Sequence, residues 1–490
     1  MKMNLIVPLI FLLSIISCKK DDPAQSEKPT IAVSNSSLSL NYTSQNSYVT
    51  IKMTGSKWNA SSDQTWCTLS VYSSTSKETD LTINITGNNS FLSRNAKVVF
   101  TLNNNDTVSV RVSQASLPTI PDYSNAIAAD ATGMSSTIQT LAHNINVGWN
   151  LGNTMEVPGS ETGWGNPLTT QQLIDGVKAA GFNAVRIPCA WDSYVEDTLS
   201  YKIKATWLAR VKQVVDYCIK DNMYVILNIH WDGGWLENHP LYAYQTKVNA
   251  KQKAYWQQIA AFFRDYDEHL LFAGTNEVHF DYNAPSNENT SVQLSYNQTF
   301  VNAVRSTGGK NTYRALVVQT YNTNIAYGVS YMKIPDDTAS KRLLVEVHYY
   351  DPWDFTGDTS SSSVSLWGSP YASLGKVSTW GQEDYLKTQF ASIKTNFVDK
   401  GYPVILGEFG AIRRSALTGT ALTNHLTSRA YYLQYVVQYA KNYGLVPFYW
   451  DNGSTSNGGF PLINRADGTV FDSQALSAMT TGASLGTYPY

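Results

Sequence analysis

Charge is the first thing this sequence is short of. Only 15% of its 490 residues are Asp, Glu, Lys or Arg, against about 25% in an ordinary globular protein. The 36 basic and 38 acidic side chains nearly cancel, leaving a formal net charge of −2. Nucleic-acid binders concentrate Lys and Arg on one face, so no nucleic-acid partner is expected. Cysteine is scarcer still. Cys18, Cys67, Cys189 and Cys218 are the whole supply, too few for the disulfide framework of a small exported domain. A single bond between Cys189 and Cys218 is left open. His-Glu-x-x-His and paired CxxC are both missing and the histidines lack ligand spacing, so no metal is expected. No P-loop or GxGxxG follows any strand, and no cofactor is expected. No apolar run reaches the roughly 20 residues of a membrane span.

Aromatics are what the chain has in excess, with 31 Tyr and 13 Trp in a composition that is 43% hydrophobic. That is enough apolar material for a large core. A charge-poor surface rich in Tyr, Trp, Asn, Ser and Thr suits neutral, hydroxyl-bearing ligands. The N-terminus reads as an export signal rather than structure: Lys2 gives a positive start, and 5–16 is a short apolar run. It ends Leu13-Ser14-Ile15-Ile16-Ser17-Cys18, which resembles a bacterial lipoprotein signal. The resemblance implies that 1–17 is removed and Cys18 is lipidated. Lys19-Lys20-Asp21-Asp22 resembles the surface-export signals of Bacteroidetes lipoproteins, implying an outer-membrane anchor facing outward. An ordinary cleaved signal with an incidental cysteine is the alternative. Membrane contact is expected through the lipid alone.

Residues 18–29 are polar and read as a tether. Over 30–116, short β-rich runs at 38–40, 48–53, 81–85, 97–102 and 107–112 are separated by Asn, Ser and Gly clusters, the pattern of a small all-β sandwich. The stretch Trp58-Asn59-Ala60-Ser61 through Trp66, with Asn88, Asn89, Arg94 and the closing Val112-Ser113-Gln114, resembles a BACON domain, an Ig-like module. The name implies carbohydrate binding; a spacer role is the simpler expectation, with Trp58 and Trp66 as core anchors. A linker with two prolines, Pro118 and Pro121, occupies 117–123.

From 124 to 490 apolar strands alternate with amphipathic helical stretches. Strands are expected at 147–151, 184–188, 224–230, 270–277, 315–321, 343–350, 403–409 and 446–451. Helices are expected at 169–180, 206–220, 250–266, 291–305, 383–400 and 422–442, with Gly181 and Gly444 where helices should end. Eight such units predict an α/β fold, a (β/α)8 barrel, whose active site lies at the C-terminal ends of the strands. Those ends carry Arg186, His230, Asn276-Glu277, His348-x-Tyr350, Glu408 and Trp450. Polar groups ending apolar strands are costly to place without a purpose. Two glutamates across one barrel mouth are what glycosidic hydrolysis requires: one protonates the leaving oxygen while the other attacks or activates water. Arg186 and Tyr350 are placed to donate to Glu408 and keep it ionised, and His348 to tune Glu277 upward. Asn276 suits a sugar 2-hydroxyl, and Trp450 a stacking floor.

Gly148-Trp149-Asn150-Leu151-Gly152-Asn153, Val185-Arg186-Ile187-Pro188, Asn276-Glu277, His348-x-Tyr350, Gly407-Glu408-Phe409-Gly410 and Trp450, in this order, resemble glycoside hydrolase family 5. The resemblance implies a retaining enzyme with Glu277 as acid/base and Glu408 as nucleophile. Arg186, His230, Asn276, His348, Tyr350 and Trp450 match the family's other site positions. The opening motif, with Thr162-Gly163-Trp164-Gly165-Asn166-Pro167, resembles the branch rich in endo-β-1,4-glucanases and xyloglucanases. Two departures stand near the substrate: His230-Trp231 replaces a His-His pair, and Val278 replaces a proline after Asn276-Glu277. Candidate sugar platforms are Trp164, Trp191, Trp231, Trp235, Trp353, Trp367 and Trp380, with Trp235 and Trp367 preferred and Asn153 beside them. Glu346 is the rival acid, more simply a buried partner of an Arg or Lys. Asp232 and Glu237 are candidates for the cleft wall, and His239 and His279 for rim contacts. The expected partner is a polysaccharide cut by a monomer: a β-1,4-glucan first, mannan or xylan second. A non-catalytic surface glycan binder, or a scaffold that binds through its N-terminal domain, is the alternative of a different kind.

Overall fold

The computed structural model describes residues 28–103 and 105–490; the signal segment and Cys18 lie outside the described residues. The chain divides into two compact units, one ending at Leu117 and one spanning Pro118–Tyr490. Asp122 and Tyr123 are hydrogen-bonded to Gln257 of the second unit. Among the described residues no helix is long and apolar enough to cross a membrane.

The first unit is a two-sheet sandwich. One sheet orders Ile31–Val33, Gln45–Met53, Glu78–Ile85 and Cys67–Leu69; the other orders Ser37–Leu40, Thr107–Gln114, Arg94–Leu102, Trp58–Ser62 and Ser73–Ser74. Side chains alternate along each strand, and the inner set of Arg94–Leu102, namely Ala96, Val98, Phe100 and Leu102, is buried in the core. Trp58 is fully buried and meets Phe100 edge-on, while Trp66 is partly buried under the Arg94 guanidinium, 4.2 Å above its ring. Both tryptophans serve the sandwich itself.

The second unit is a closed barrel of eight parallel strands: β1 (Gly148–Leu151), β2 (Ala184–Ile187), β3 (Tyr224–Asn228), β4 (Leu270–Ala273), β5 (Leu316–Gln319), β6 (Leu343–Tyr349), β7 (Val404–Phe409) and β8 (Leu445–Asp451). All eight match the expected runs to within a residue or two, except at the end of β4. β4 stops four residues short because Thr275 donates its backbone N–H to the Gln319 side chain instead of continuing the ladder. Gly181 (φ +99°) and Gly444 (φ +82°) follow helices Gln171–Ala179 and Gly419–Asn442 as expected. Among the described residues four further α-helices were not anticipated: Ile138–Asn144, Ile325–Tyr331, Trp353–Thr356 and Ser473–Leu485.

The inside of the barrel is layered. Near the N-terminal ends of the strands Ala184, Ile226, Ala273, Val317, Leu344, Ile405 and Phe448 form an apolar plug, closed by Ile138, Leu141 and Ala142 of the short helix. Because every second residue points inward, the next layer holds Arg186, Asn228, Gln319, Glu346 and Trp450, with Asn150 from β1. Apolar packing below thus passes into polar chemistry above within two residues of each strand. Gly148 belongs to this arrangement, since a Cβ there would lie 2.1 Å from the Phe448 ring.

Candidate active site

The polar layer opens into a cleft of about 840 Å³, lined by His230, Trp231, Glu237, Asn276, Glu277, His348, Tyr350, Glu408 and Trp450 among others. Arg186, fully buried at its base, organises the site. Its Nη1 donates to Glu408 Oε1 at 2.9 Å and to Asn150 Oδ1 at 3.0 Å, its Nη2 donates to Asn276 Oδ1 at 2.9 Å, and its Nε lies 3.0 Å from Glu346 Oε1. One cation therefore fixes four side chains from four different strands or strand ends. Tyr350 donates its hydroxyl to Glu408 Oε2 at 3.0 Å. Glu408 sits on a bulge, since register shifts on both sides of β7 near Leu406 and Phe409; such irregularities re-aim a side chain. Gly407 supplies the room, as a Cβ there would lie 2.0 Å from Glu346 Oε1.

Glu277, at the end of the segment after β4, faces Glu408. One side-chain heteroatom from each of Glu277, His348 and Glu408 lies within 4.8 Å of the other two. His348 sits between the acids: Nδ1 is 2.6 Å from Glu277 Oε1 and 3.7 Å from Glu408 Oε2, and Nε2 is 3.3 Å from Glu346 Oε1. Burial opposes charge on this imidazole, but the three carboxyls outweigh it and lift its pKa to about 10. His348 is therefore a cation at neutral pH. Burial pushes the Glu277 carboxyl up, yet the hydrogen bond and charge of His348 leave it below the ordinary range. For Glu408 burial prevails, helped by the charge of Glu277, and it sits above that range despite His348 and Arg186. His348 thus draws Glu277 down, not up as expected, while Arg186 and Tyr350 donate to Glu408 and favour its ionised form. Carboxyls this close titrate as a pair.

His230 is held neutral by burial and by the charges of Arg186 and His348, and stacks parallel to Trp450 with centroids 5.8 Å apart. Glu346 is buried against Arg186, and Gln319 Nε2 donates to its Oε2 at 2.6 Å, so the rival acid is a structural counterion. Trp164 and Trp231 are exposed neighbours with ring centroids 6.3 Å apart, and Trp353 and Trp380 are exposed as well.

Several platform candidates are corrected. Trp367 is 0% exposed: it packs among Tyr431, Tyr432 and Tyr435 and donates to Gly381 O. Trp191 is equally buried and donates to Asn228 O. Trp235, partly buried, has Lys251 4.4 Å over its ring, Tyr255 edge-on, and Nε1–H donated to Asp232. Asn153 shapes a turn: its φ is +56°, and its carbonyl accepts from Asn166 Nδ2 at 2.9 Å. Asp232 is turned inward, accepting from the Trp191 and Asp192 backbones, whereas Glu237 does line the cleft. His239 binds Gly234 O and His279 binds Glu277 O. Cys189 and Cys218 are free, buried thiols, so no bond joins them. Asn150 and Gln319 were not anticipated; each ends the inward-facing set of an apolar strand, which is the signal that marks them.

A (β/α)8 barrel with two facing carboxyls held by Arg, His and Tyr at its C-terminal mouth defines a glycoside hydrolase. The chain belongs to glycoside hydrolase family 5. The family model Cellulase (glycosyl hydrolase family 5) matches residues 150–456, and the BACON model matches 56–115. The chain is 39% identical over 494 residues to a xyloglucan-specific endo-β-1,4-glucanase of Bacteroides ovatus, covering 97% of this chain and 96% of that protein. A solved Bacteroides ovatus family 5 xyloglucanase in complex with an XXXG heptasaccharide superposes with a TM-score of 0.71 at 38% identity, covering 94% of this chain and 100% of the other. Endoglucanase A of Paenibacillus barcinonensis is 41% identical over 377 residues, 72% of this chain and 92% of that protein.

Proposed function

We propose that this chain is a retaining endo-β-1,4-glucanase that acts on xyloglucan. The observation that carries the substrate is the likeness to the xyloglucan-specific Bacteroides ovatus enzyme, which extends over both units and 97% of the chain. The mechanism rests on geometry. Glu277 and Glu408 approach within 4.8 Å at one oxygen each, which supports the close pair of double displacement over the roughly 6.5–9.5 Å separation of inverting enzymes. Glu408 Oε attacks the anomeric carbon as Glu277 gives its proton to the departing glycosidic oxygen, forming a glycosyl-enzyme. Glu277 then takes a proton from water, whose oxygen displaces Glu408. For this Glu277 must hold the pair's proton when the chain binds, and His348, bridging both carboxyls, is the group that can relay it. The exposed Trp164–Trp231 pair and the Trp450 ring supply stacking faces.

The test is release of reducing ends from xyloglucan, mixed-linkage glucan, a soluble cellulose derivative, glucomannan and xylan, by the parent and by Glu408→Ala. Preference for xyloglucan supports the reading; preference for another β-1,4-glucan favours an endoglucanase of other specificity, and no release would favour a glycan binder. Retained activity in Glu408→Ala would overturn the nucleophile. Cys18 as lipid attachment site, an outward-facing outer-membrane location and a monomeric state complete the proposal. Palmitate incorporation lost in Cys18→Ser, surface labelling of intact cells and light scattering check them in turn.

A further inference from the structure

β4 ends at Ala273, so Glu277 stands beyond the end of its strand, on a segment with no ladder of its own. The turn after β5 holds that segment. Three consecutive residues take one contact each: Tyr321 Oη accepts from the Phe280 N–H at 2.8 Å, the Asn322 N–H donates to Val278 O at 2.9 Å, and Thr323 Oγ1 donates to Glu277 Oε1 at 3.4 Å. The turn is strained where it touches the acid. Asn322 has φ +52° and Thr323 φ +44°, in the left-handed region that a β-branched side chain rarely enters. Such a conformation is costly and persists only where the surroundings fix it. Here the Thr323 N–H donates to Thr320 O at 3.0 Å and the Asn324 N–H to Tyr321 O at 3.0 Å, while the Asn324 side chain caps helix Ile325–Tyr331 by accepting from the Tyr327 N–H at 3.0 Å. Glycine would occupy position 323 without strain. What the buried threonine adds is a hydroxyl within reach of the Glu277 carboxyl.

The contacts to that carboxyl are one-sided. His348 Nδ1 and Thr323 Oγ1 both meet Oε1, and among the described residues no group bonds Oε2. We propose that Thr323 is a positioning residue of the proton-transfer step: its hydroxyl, presented by the strained turn, pins Glu277 Oε1 so that Oε2 serves the glycosidic oxygen. The inference rests on Glu277 being the acid/base. The proton leaves Oε2 for the departing oxygen as the glycosidic bond breaks, and a proton of water returns to Oε2 as the water oxygen displaces Glu408. Thr323 keeps its own proton throughout, because its hydroxyl can donate to Oε1 whether the carboxyl is ionised or protonated on Oε2. A contact of 3.4 Å is long for two oxygens; catalytic hydrogen bonds often tighten only once substrate is bound.

The experiment reads how far the rate depends on the acid. Parent, Thr323→Val, Thr323→Gly and Thr323→Ser are compared, with Glu277→Gln as reference, on aryl glycosides of the glucan oligosaccharide that the parent releases, the phenols graded in acidity. The most acidic phenols leave without a proton, whereas the least acidic need one. General acid catalysis contributes about 10²–10⁴-fold. Thr323→Val and Thr323→Gly are expected to lose about tenfold in kcat/KM on the poorest leaving group and less than about twofold on the best, and Thr323→Ser to recover most of that loss. Glycine relieves the positive φ, so the melting temperature of Thr323→Gly is expected to hold or rise, and this variant carries the test should valine fail to fold. An equal loss on every phenol, or no loss on any, in Thr323→Gly would overturn the proposal. A Glu277→Gln variant that loses equally across the series would overturn the acid/base reading as well, which separates the two failures.

Discussion

Glutamine at position 346 is the sharpest test of how the barrel holds charge. Glu346 is fully buried, 3.0 Å from Arg186 Nε, and also receives Gln319 and His348. Glu346→Gln preserves shape and removes one negative charge from a cluster holding two buried cations, Arg186 and His348. Breaking a buried pair from one side costs about 3–5 kcal/mol, and Glu408 remains to Arg186, so the lower end, about 3 kcal/mol, is expected. At about 2–4 °C per kcal/mol for a large domain, the barrel's melting temperature should fall by roughly 6–12 °C. The pH dependence gives a second check. Burial pushes Glu346 up, but Arg186 and the hydrogen bonds from His348 and Gln319 win and hold it below the ordinary carboxylate range. A depressed carboxyl stabilises the fold above its unfolded pKa, near 4.3, and that contribution is lost as pH falls through the folded value. Parent and variant should therefore differ most at pH 7 and converge below pH 4. Thermal and denaturant unfolding followed by far-ultraviolet circular dichroism measures both. A difference under 1 kcal/mol at pH 7, or one unchanged in acid, would refute the account of Glu346 as counterion.

Trp231→Ala should raise KM for polysaccharide severalfold with the melting temperature unchanged, because the ring is exposed beside the cleft; Trp367→Ala should instead cost about 3–5 kcal/mol of stability, and unfolding curves beside Michaelis kinetics separate the two. His348 carries a pKa raised to about 10, so its stabilising contribution is complete below about 6.5 and is lost as pH rises toward 10; unfolding free energy should decline across that window in the parent and less steeply in His348→Gln. Asn150→Ala removes an acceptor of Arg186 Nη1 and is expected to lower kcat about tenfold with little change in KM, as steady-state kinetics will report.

Much of this architecture was legible in the sequence, and the failures share one cause. All eight strands were found because each is a short, largely apolar run, and that signal is local. Glu277, Glu408, Arg186, His348 and Tyr350 came together as the strand order requires, so topology alone sufficed to place them. Trp367 and Trp191 were misjudged because a loop position says nothing about which way the loop turns its ring; Trp367 folds back under Tyr431 and Tyr432 instead of facing the cleft. The direction in which His348 acts on Glu277 was likewise out of reach, because it depends on distances of a few ångströms between His348 and three carboxyls.

The layered interior carries a consequence for how the protein can fail. Plug residues and working residues alternate with the same two-residue step on the same strands, as Ile226 and Asn228 do on β3, or Leu344, Glu346 and His348 on β6. A strand that paired one position out of place would turn both sets outward together. It would drive Arg186 or Glu346 into the apolar space between strands and helices while emptying the plug. Such a chain loses cohesion and chemistry in the same event, so a misaligned barrel has no route to persisting as a folded but inert molecule. Fidelity of assembly and competence for catalysis are here one selectable trait.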